Sequence, residues 1–194
     1  MTKGGYKKYR TNLKHNDMKI VYYILLASLI LFSSCGKKNF ADDVLKLQSR
    51  PIDMTCCKDA VLIENGEEKK FCDNDSAYKL IIYIDSTSCS PCFISHMQDY
   101  MEVVNVFDSM GVNTLFIFEP TQKRMEEVTI ALRQFAYPTK AIVVSNGNFS
   151  AHNSHIPSSA LLHSFLLNSA NAVTIVGNPL RNEKLKELML NNIE

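Results

Sequence analysis

The chain has 194 residues, 46% of them hydrophobic, and a formal net charge of +1, which suits one domain with a sizeable core and a short extension. The charge is uneven: residues 1–34 carry six Lys/Arg and one Asp, a net +5, whereas residues 35–194 carry fifteen Lys/Arg and nineteen Asp/Glu, a net −4. Such a mildly acidic body argues against a nucleic-acid partner, and places the positive charge in an N-terminal address.

That address opens on Met18-Lys19, continues through the apolar run Ile20 to Phe32, and closes on Ser33-Ser34-Cys35. A basic start, an apolar stretch and small residues before a cut make a secretory signal. The run is too short for a stable membrane span, which needs ~20 residues. With cysteine at the cut it resembles a bacterial lipoprotein signal, in which Cys35 becomes the lipidated first residue. The chain departs from that motif at Phe32, where Leu is usual, and Met18 is an alternative start. The expected division is signal peptide 1–34, lipidated N-terminus and tether 35–59, and a folded domain 60–194.

The tether has mixed charge and few apolar residues, with one helical turn expected at Asp42-Asp43-Val44-Leu45. Val61-Leu62-Ile63 and Lys70-Phe71 flank Asn65-Gly66, which signals a hairpin ahead of the main sheet. Leu80 to Ile84 is a short branched and aromatic run, read as a buried strand. It runs through the polar Asp85–Ser88 into Cys89-Ser90-Pro91-Cys92. From Pro91 the period becomes helical, with Phe93, Met97, Tyr100, Met101, Val104 and Phe107 on one face and Gly111 as the C-cap. Thr114–Phe118 is a second strand, stopped by Glu119-Pro120. A helix from Thr121 places Met125, Val128, Leu132 and Phe135 on one face, with Lys123, Arg124, Glu126 and Glu127 in solvent. Ala141–Val144 is a third strand, and Asn148–Ala160 reads as a loop or broken helix. Ser164–Leu167 and Ala172–Val176 form a hairpin about the turn Asn168–Asn171. Asn182 caps a last helix in which Leu185, Leu188 and Met189 face inward.

Cys89 therefore stands where a helix begins. Unpaired N–H groups and the positive end of the helix dipole favour a thiolate there, and Cys92 is near enough to close a disulfide. Pro91 suits the first turn, where no N–H bond is lost. A zinc site would need a second ligand pair, which Cys56-Cys57 and Cys72 do not supply, so no metal or other cofactor is expected. In an oxidising compartment a bond from Cys56 or Cys57 to Cys72 is expected, with nothing in the sequence to choose between them.

Strand, Cys-x-x-Cys and helix resemble the active-site segment of the thioredoxin superfamily, and the context resembles its extracytoplasmic TlpA/ResA-type lipoproteins. The resemblance covers roughly residues 60–194. It implies an α/β thioredoxin-like fold: a central mixed sheet of four to five strands flanked by helices, Leu80–Ile84 in the middle, with Ala141–Val144 and its loop as a TlpA- or peroxiredoxin-type insertion. The chain departs from the family pattern in three places. Ser88 replaces the usual aromatic before the first cysteine. Tyr83 holds the place of thioredoxin's buried Asp, while Asp85, two residues on, is read as a loop-capping carboxylate in preference to a proton acceptor for Cys92. The cis-proline position falls on Leu162, followed by His163, if Ser164–Leu167 is the strand beside the cysteines; Pro138-Thr139 is the alternative. His163 would then lie near the disulfide, where an imidazolium favours a thiolate, or would be an ordinary loop histidine. His96 reads as a helix-surface residue, and His152 and His155 as loop residues without chemistry.

The resemblance implies a lipid-anchored thiol–disulfide oxidoreductase of the cell envelope. Cys89 would attack a client disulfide and Cys92, packed against the sheet, would resolve the mixed disulfide. Its partners would be secreted or periplasmic proteins with disulfides and a membrane thiol reductase. The competing reading is a non-catalytic envelope lipoprotein whose Cys89–Cys92 bond is structural.

Overall fold

The computed structural model describes residues 40–58, 60–71 and 78–193. The expected signal segment, the lipidated Cys35, Cys72 and the start of the tether lie outside the described residues. Among the described residues one sheet contains β1 (Val61–Glu64), β2 (Glu67–Lys70), β3 (Lys79–Ile84), β4 (Asn113–Phe118), β5 (Lys140–Val143), β6 (Ser164–Leu167) and β7 (Val173–Val176), in the order β2-β1-β5-β4-β3-β6-β7. The strand that leads to the cysteines, β3, runs parallel to β4 on one side and antiparallel to β6 on the other. All six of its residues are buried. Ile81 and Tyr83 join the core on one face of the sheet, and Ile82 and Ile84 the core on the other. A strand covered on both faces needs the continuous apolar run seen in the sequence. Even Lys79 is buried, its Nζ donating to Asn171 Oδ1 at 2.9 Å.

Seven strands exceed the expected four to five because the Asn65-Gly66 hairpin does not stand apart. β1 pairs antiparallel with β5, Val61 opposite Val143. Leu62 and Ile63 point into opposite cores, so both are buried only if β1 is a member of the sheet. The outer strand β2 is Glu-Glu-Lys-Lys, fully exposed, and such charge on an edge discourages pairing with another chain.

Helices cover both faces. On one side lie α2 (Ser90–Ser95), α3 (Met101–Ser109), α4 (Met125–Phe135) and α6 (Glu183–Leu190); on the other lie α1 (Phe40–Leu47), the loop through Cys57 and α5 (Asn148–His152). The expected turn at Asp42–Leu45 is thus a two-turn helix whose Leu47 reaches the core. Two helix faces differ from expectation. Phe135 stands exposed at the end of α4 and stacks on Tyr137, ring centroids 5.7 Å apart. Leu188 is exposed because the buried stripe of α6 runs through Leu185 and Met189, one turn apart, and Leu188 lies about 100° off Met189. The central β-α-β followed by β6-β7-α6 is the thioredoxin-like order, with β5 and α5 inserted between its halves.

Candidate functional site

At the end of β3 the chain must turn sharply into a helix, and Asp85 holds that turn. Its Oδ1 accepts from Thr87 N at 3.1 Å, Thr87 Oγ1 at 2.8 Å, Ser88 N at 3.0 Å and Ser88 Oγ at 2.8 Å. Burial by itself would raise the Asp85 carboxyl, but the bonds from Ser88 and Thr87 outweigh it and hold the group below its ordinary value. All four bonds fall on the loop, which gives Asp85 the capping role.

Cys89 is the N-cap of α2, with Pro91 in the first turn, and is disulfide-bonded to Cys92 with Cα atoms 5.3 Å apart. Both cysteines are exposed. The expected burial of Cys92 against the sheet is therefore corrected: the inward face of this segment is Ser90, Ile94 and Met97, and Cys92 lies about 200° round from Ser90. The helix is also shorter than the apolar pattern suggests. Ser95 Oγ donates to Cys92 O at 2.8 Å, and His96 N turns to Phe93 O at 3.0 Å, leaving a one-turn 3-10 segment, Met97–Tyr100, before α3. A hydroxyl that bonds back into its own helix competes with the helical ladder in this way. His96 is exposed, 3.9 Å from Asp99. At the far end Gly111, at φ 75°, closes α3 as expected, and Val112 N reaches back to Phe107 O at 3.0 Å.

Opposite the pair, β6 runs beside β3, and Tyr83 N donates to His163 O at 2.8 Å. Leu162 and His163 are thus the residues that precede the strand next to the cysteine-bearing one. Pro138 precedes β5, two strands away. Leu162 is fully buried and His163 nearly so. His163 Nε2 faces Pro157 O at 2.9 Å, and since a carbonyl only accepts, Nε2 carries a proton. Its Nδ1 is buried without a hydrogen-bond partner, and its ring lies 4.9 Å from that of Tyr83. Ser88, Phe93, Tyr83, His163 and Leu161 line one cavity of about 500 Å3, so the loop before Cys89 and the loop before β6 face a common groove.

Two clusters here are not announced by the sequence. Glu119, read only as a strand stop, is buried: its Oε2 accepts from Tyr83 Oη at 2.5 Å and its Oε1 from Ser150 N at 3.2 Å. Burial, then the neighbouring carboxylate, pushes the Tyr83 phenol far above its ordinary value. Glu119 follows β4 at the carboxyl end of a parallel strand, the edge where α/β sites gather, and that position was the available signal. The second cluster joins Asp53, in the expected tether, to His152 at the end of α5, with Nδ1 and Oδ2 3.0 Å apart. No spacing links residues so distant in the chain. Cys56 and Cys57 lie beside it on a short 3-10 turn, Thr55–Cys57, with Sγ atoms 3.9 Å apart. The expected bridge from one of them to Cys72 involves a residue outside the described set.

No protein-family profile matches the chain, and no curated protein matches it. Solved structures do resemble it. The thioredoxin domain of a thiol-disulfide oxidoreductase from Bacteroides vulgatus is 16% identical, with a TM-score of 0.48 over 71% of this chain and 95% of that one. A thioredoxin-like protein from Porphyromonas gingivalis is 15% identical, with a TM-score of 0.44 over 69% and 92%. Among the described residues no helix is long and apolar enough to cross a membrane.

Proposed function

We propose that the chain is an extracytoplasmic thiol–disulfide oxidoreductase, anchored through a lipid on Cys35, whose working pair is Cys89 and Cys92. The observation that carries this reading is an exposed disulfide at a helix start, directly after the central strand and beside an open groove. In the reduced pair the attacking sulfur is that of Cys89. As N-cap it can accept the backbone N–H of Cys92 at the third helical position, one of the donors with no partner in the helix. Proline at the second position has no N–H to compete. The Cys89 thiolate attacks one sulfur of a client disulfide and the other client sulfur leaves. Cys92 then attacks Cys89 Sγ, releases the reduced client and restores the Cys89–Cys92 bond. Since both cysteines are exposed, burial does not separate them, and position at the helix start carries the assignment. The expected partners are envelope proteins with disulfides, with a membrane thiol reductase returning electrons to the pair.

The test is trapping. With the mature chain, Cys92→Ser should accumulate mixed disulfides through Cys89 and Cys89→Ser should not, and the wild type should turn over a reporter disulfide. Absence of both turnover and trapped clients would leave the bond a structural one.

A further inference from the structure

Asp53, Cys56 and His152 form a second group of reactive side chains at the same edge of the sheet as the cysteine pair. Strands β3, β4 and β5 are parallel and end there together, and β1, antiparallel to β5, begins there. With strands ~4.8 Å apart, the start of β1 lies roughly 14 Å across the sheet from the end of β3. Direct exchange with Cys89–Cys92 is not built into this arrangement. The cluster is a site of its own.

Its parts are held from several directions. Asp53 N donates to Asn153 Oδ1 at 2.8 Å, and Asn153 Nδ2 donates back to Asp53 O at 3.0 Å. Asn148 Nδ2 donates to Cys56 O at 3.1 Å. The loop that carries the cysteine is thus fixed to both ends of the helix that carries the histidine. Asp53 Oδ2 takes His152 Nδ1, leaving Nε2 as the ring nitrogen available for proton exchange. Cys56 and His152 line a cavity of about 320 Å3 with Thr55, Ser145 and Asn148. Cys57 is fully buried and Cys56 is 8% exposed, so of the two it is Cys56 that meets the cavity. The Cys56 thiol lies below its ordinary value, first through the hydrogen bond with Cys57, with burial opposing and the His152 charge assisting.

We propose that Cys56 is a second reactive thiol, served by the Asp53–His152 pair, that exchanges with a small-molecule disulfide entering this cavity. A volume near 320 Å3 is at the lower end of small-ligand sites and suits a short thiol adduct more than a protein segment. With His152 neutral, Cys56 gives its proton to the free Nε2, the imidazolium so formed favours the thiolate, and the Cys56 sulfur bonds to one sulfur of RS–SR. The RS–SR bond breaks, and the departing RS⁻ takes up the proton as RSH. The Cys56 sulfur is oxidised and the departing sulfur reduced. This proposal stands whether or not Cys89–Cys92 turns over.

The experiment incubates the full chain, its Cys89–Cys92 bond intact, with glutathione disulfide and maps the products by non-reducing peptide mass analysis. An adduct is expected on the peptide containing Cys56. His152→Gln, at an exposed position, and Asp53→Asn should each slow its formation about threefold to tenfold, with circular dichroism unchanged. The proposal is overturned if the folded chain forms no adduct on Cys56. It is equally overturned if Cys56 is found bridged to Cys57 or Cys72, or if both variants react at the wild-type rate.

Discussion

Position 83 holds a buried tyrosine whose hydroxyl meets a buried acid one strand away. Ile84 pairs with Phe118, and Glu119 N donates to Ile84 O at 2.9 Å, so Glu119 lies alongside the residues that lead to the cysteines. A buried carboxylate needs its partners, and Tyr83 supplies one of the two seen. Tyr83→Phe should therefore destabilise the domain by roughly 1–3 kcal/mol, read as a lower denaturant midpoint at unchanged slope. Apolar residues at both places of the pair, Tyr83→Phe with Glu119→Leu, should cost less than Tyr83→Phe alone if the stranded carboxylate is the cause. The Asp53–His152 pair makes a second residue-level prediction. Asp53 is lowered from 3.8 to about 2, chiefly by the Thr55 hydroxyl and by His152, so its contribution is present above pH 3.8 and is lost as pH falls through about 2. His152 is raised above 6.5, chiefly by Asp53, so its contribution is full below 6.5 and is lost as pH rises through the higher folded value. The stability difference between wild type and His152→Gln should be greatest between these limits and shrink on either side. A difference independent of pH would mean that the pair carries no charge interaction.

Among the elements, those with a strong local pattern were legible and those defined by tertiary partners were not. β3 and β4 are carried by the apolar runs Leu80–Ile84 and Leu115–Phe118, and their strands and parallel pairing follow from the sequence. Asn65-Gly66 also wrote its turn plainly, with φ of 53° and 79°. Where the hairpin goes was not written, because burial of Leu62 and Ile63 on opposite faces depends on β5, far along the chain. The end of α2 was hidden for a different reason, since a single serine hydroxyl redirects the ladder. Cys89 and Cys92 were legible as a pair because their spacing falls between a buried strand and a helix start, with no second ligand pair to suggest a metal. The Asp53–His152 contact, brought about by packing of α5 on the loop before β1, was not. The hairpin allows a test of its docking. A Cβ at Gly66 would sit 2.8 Å from Arg133 O and 3.0 Å from Ala136 Cβ, in a backbone region that L-residues rarely adopt. Gly66→Ala should cost about 1–3 kcal/mol. Gly147→Ala is the control, with a similar φ of 77° and nothing within 4 Å, so it should cost less. Equal losses, measured by denaturant unfolding, would place the hairpin away from α4.

The described residues as a whole rest on two packed sheet faces, and neither core includes the Cys89–Cys92 bond. One face gathers Tyr83, Ile117, Phe149 and Phe165, the other Ile82, Phe116, Tyr100 and Val128, and Phe93 packs beside the second with its ring 5.4 Å from Tyr100. The cysteines project outward from α2, so reducing the bond opens no cavity and removes no core contact. The loop it closes is also very short, and cross-links restrict the unfolded chain less as the loop shrinks. Chain entropy for so short a loop gives a contribution of about 2 kcal/mol at most. Reduction of the bond in the intact chain should therefore lower the unfolding free energy by no more than that, with far- and near-ultraviolet circular dichroism unchanged. Such an outcome describes a bond the fold can make and break freely, as an exchanging pair requires. A loss of 5 kcal/mol or more on reduction, or loss of near-ultraviolet signal, would assign the bond to the scaffold and set the oxidoreductase reading aside, because an enzyme of this kind must remain folded in both states of its pair.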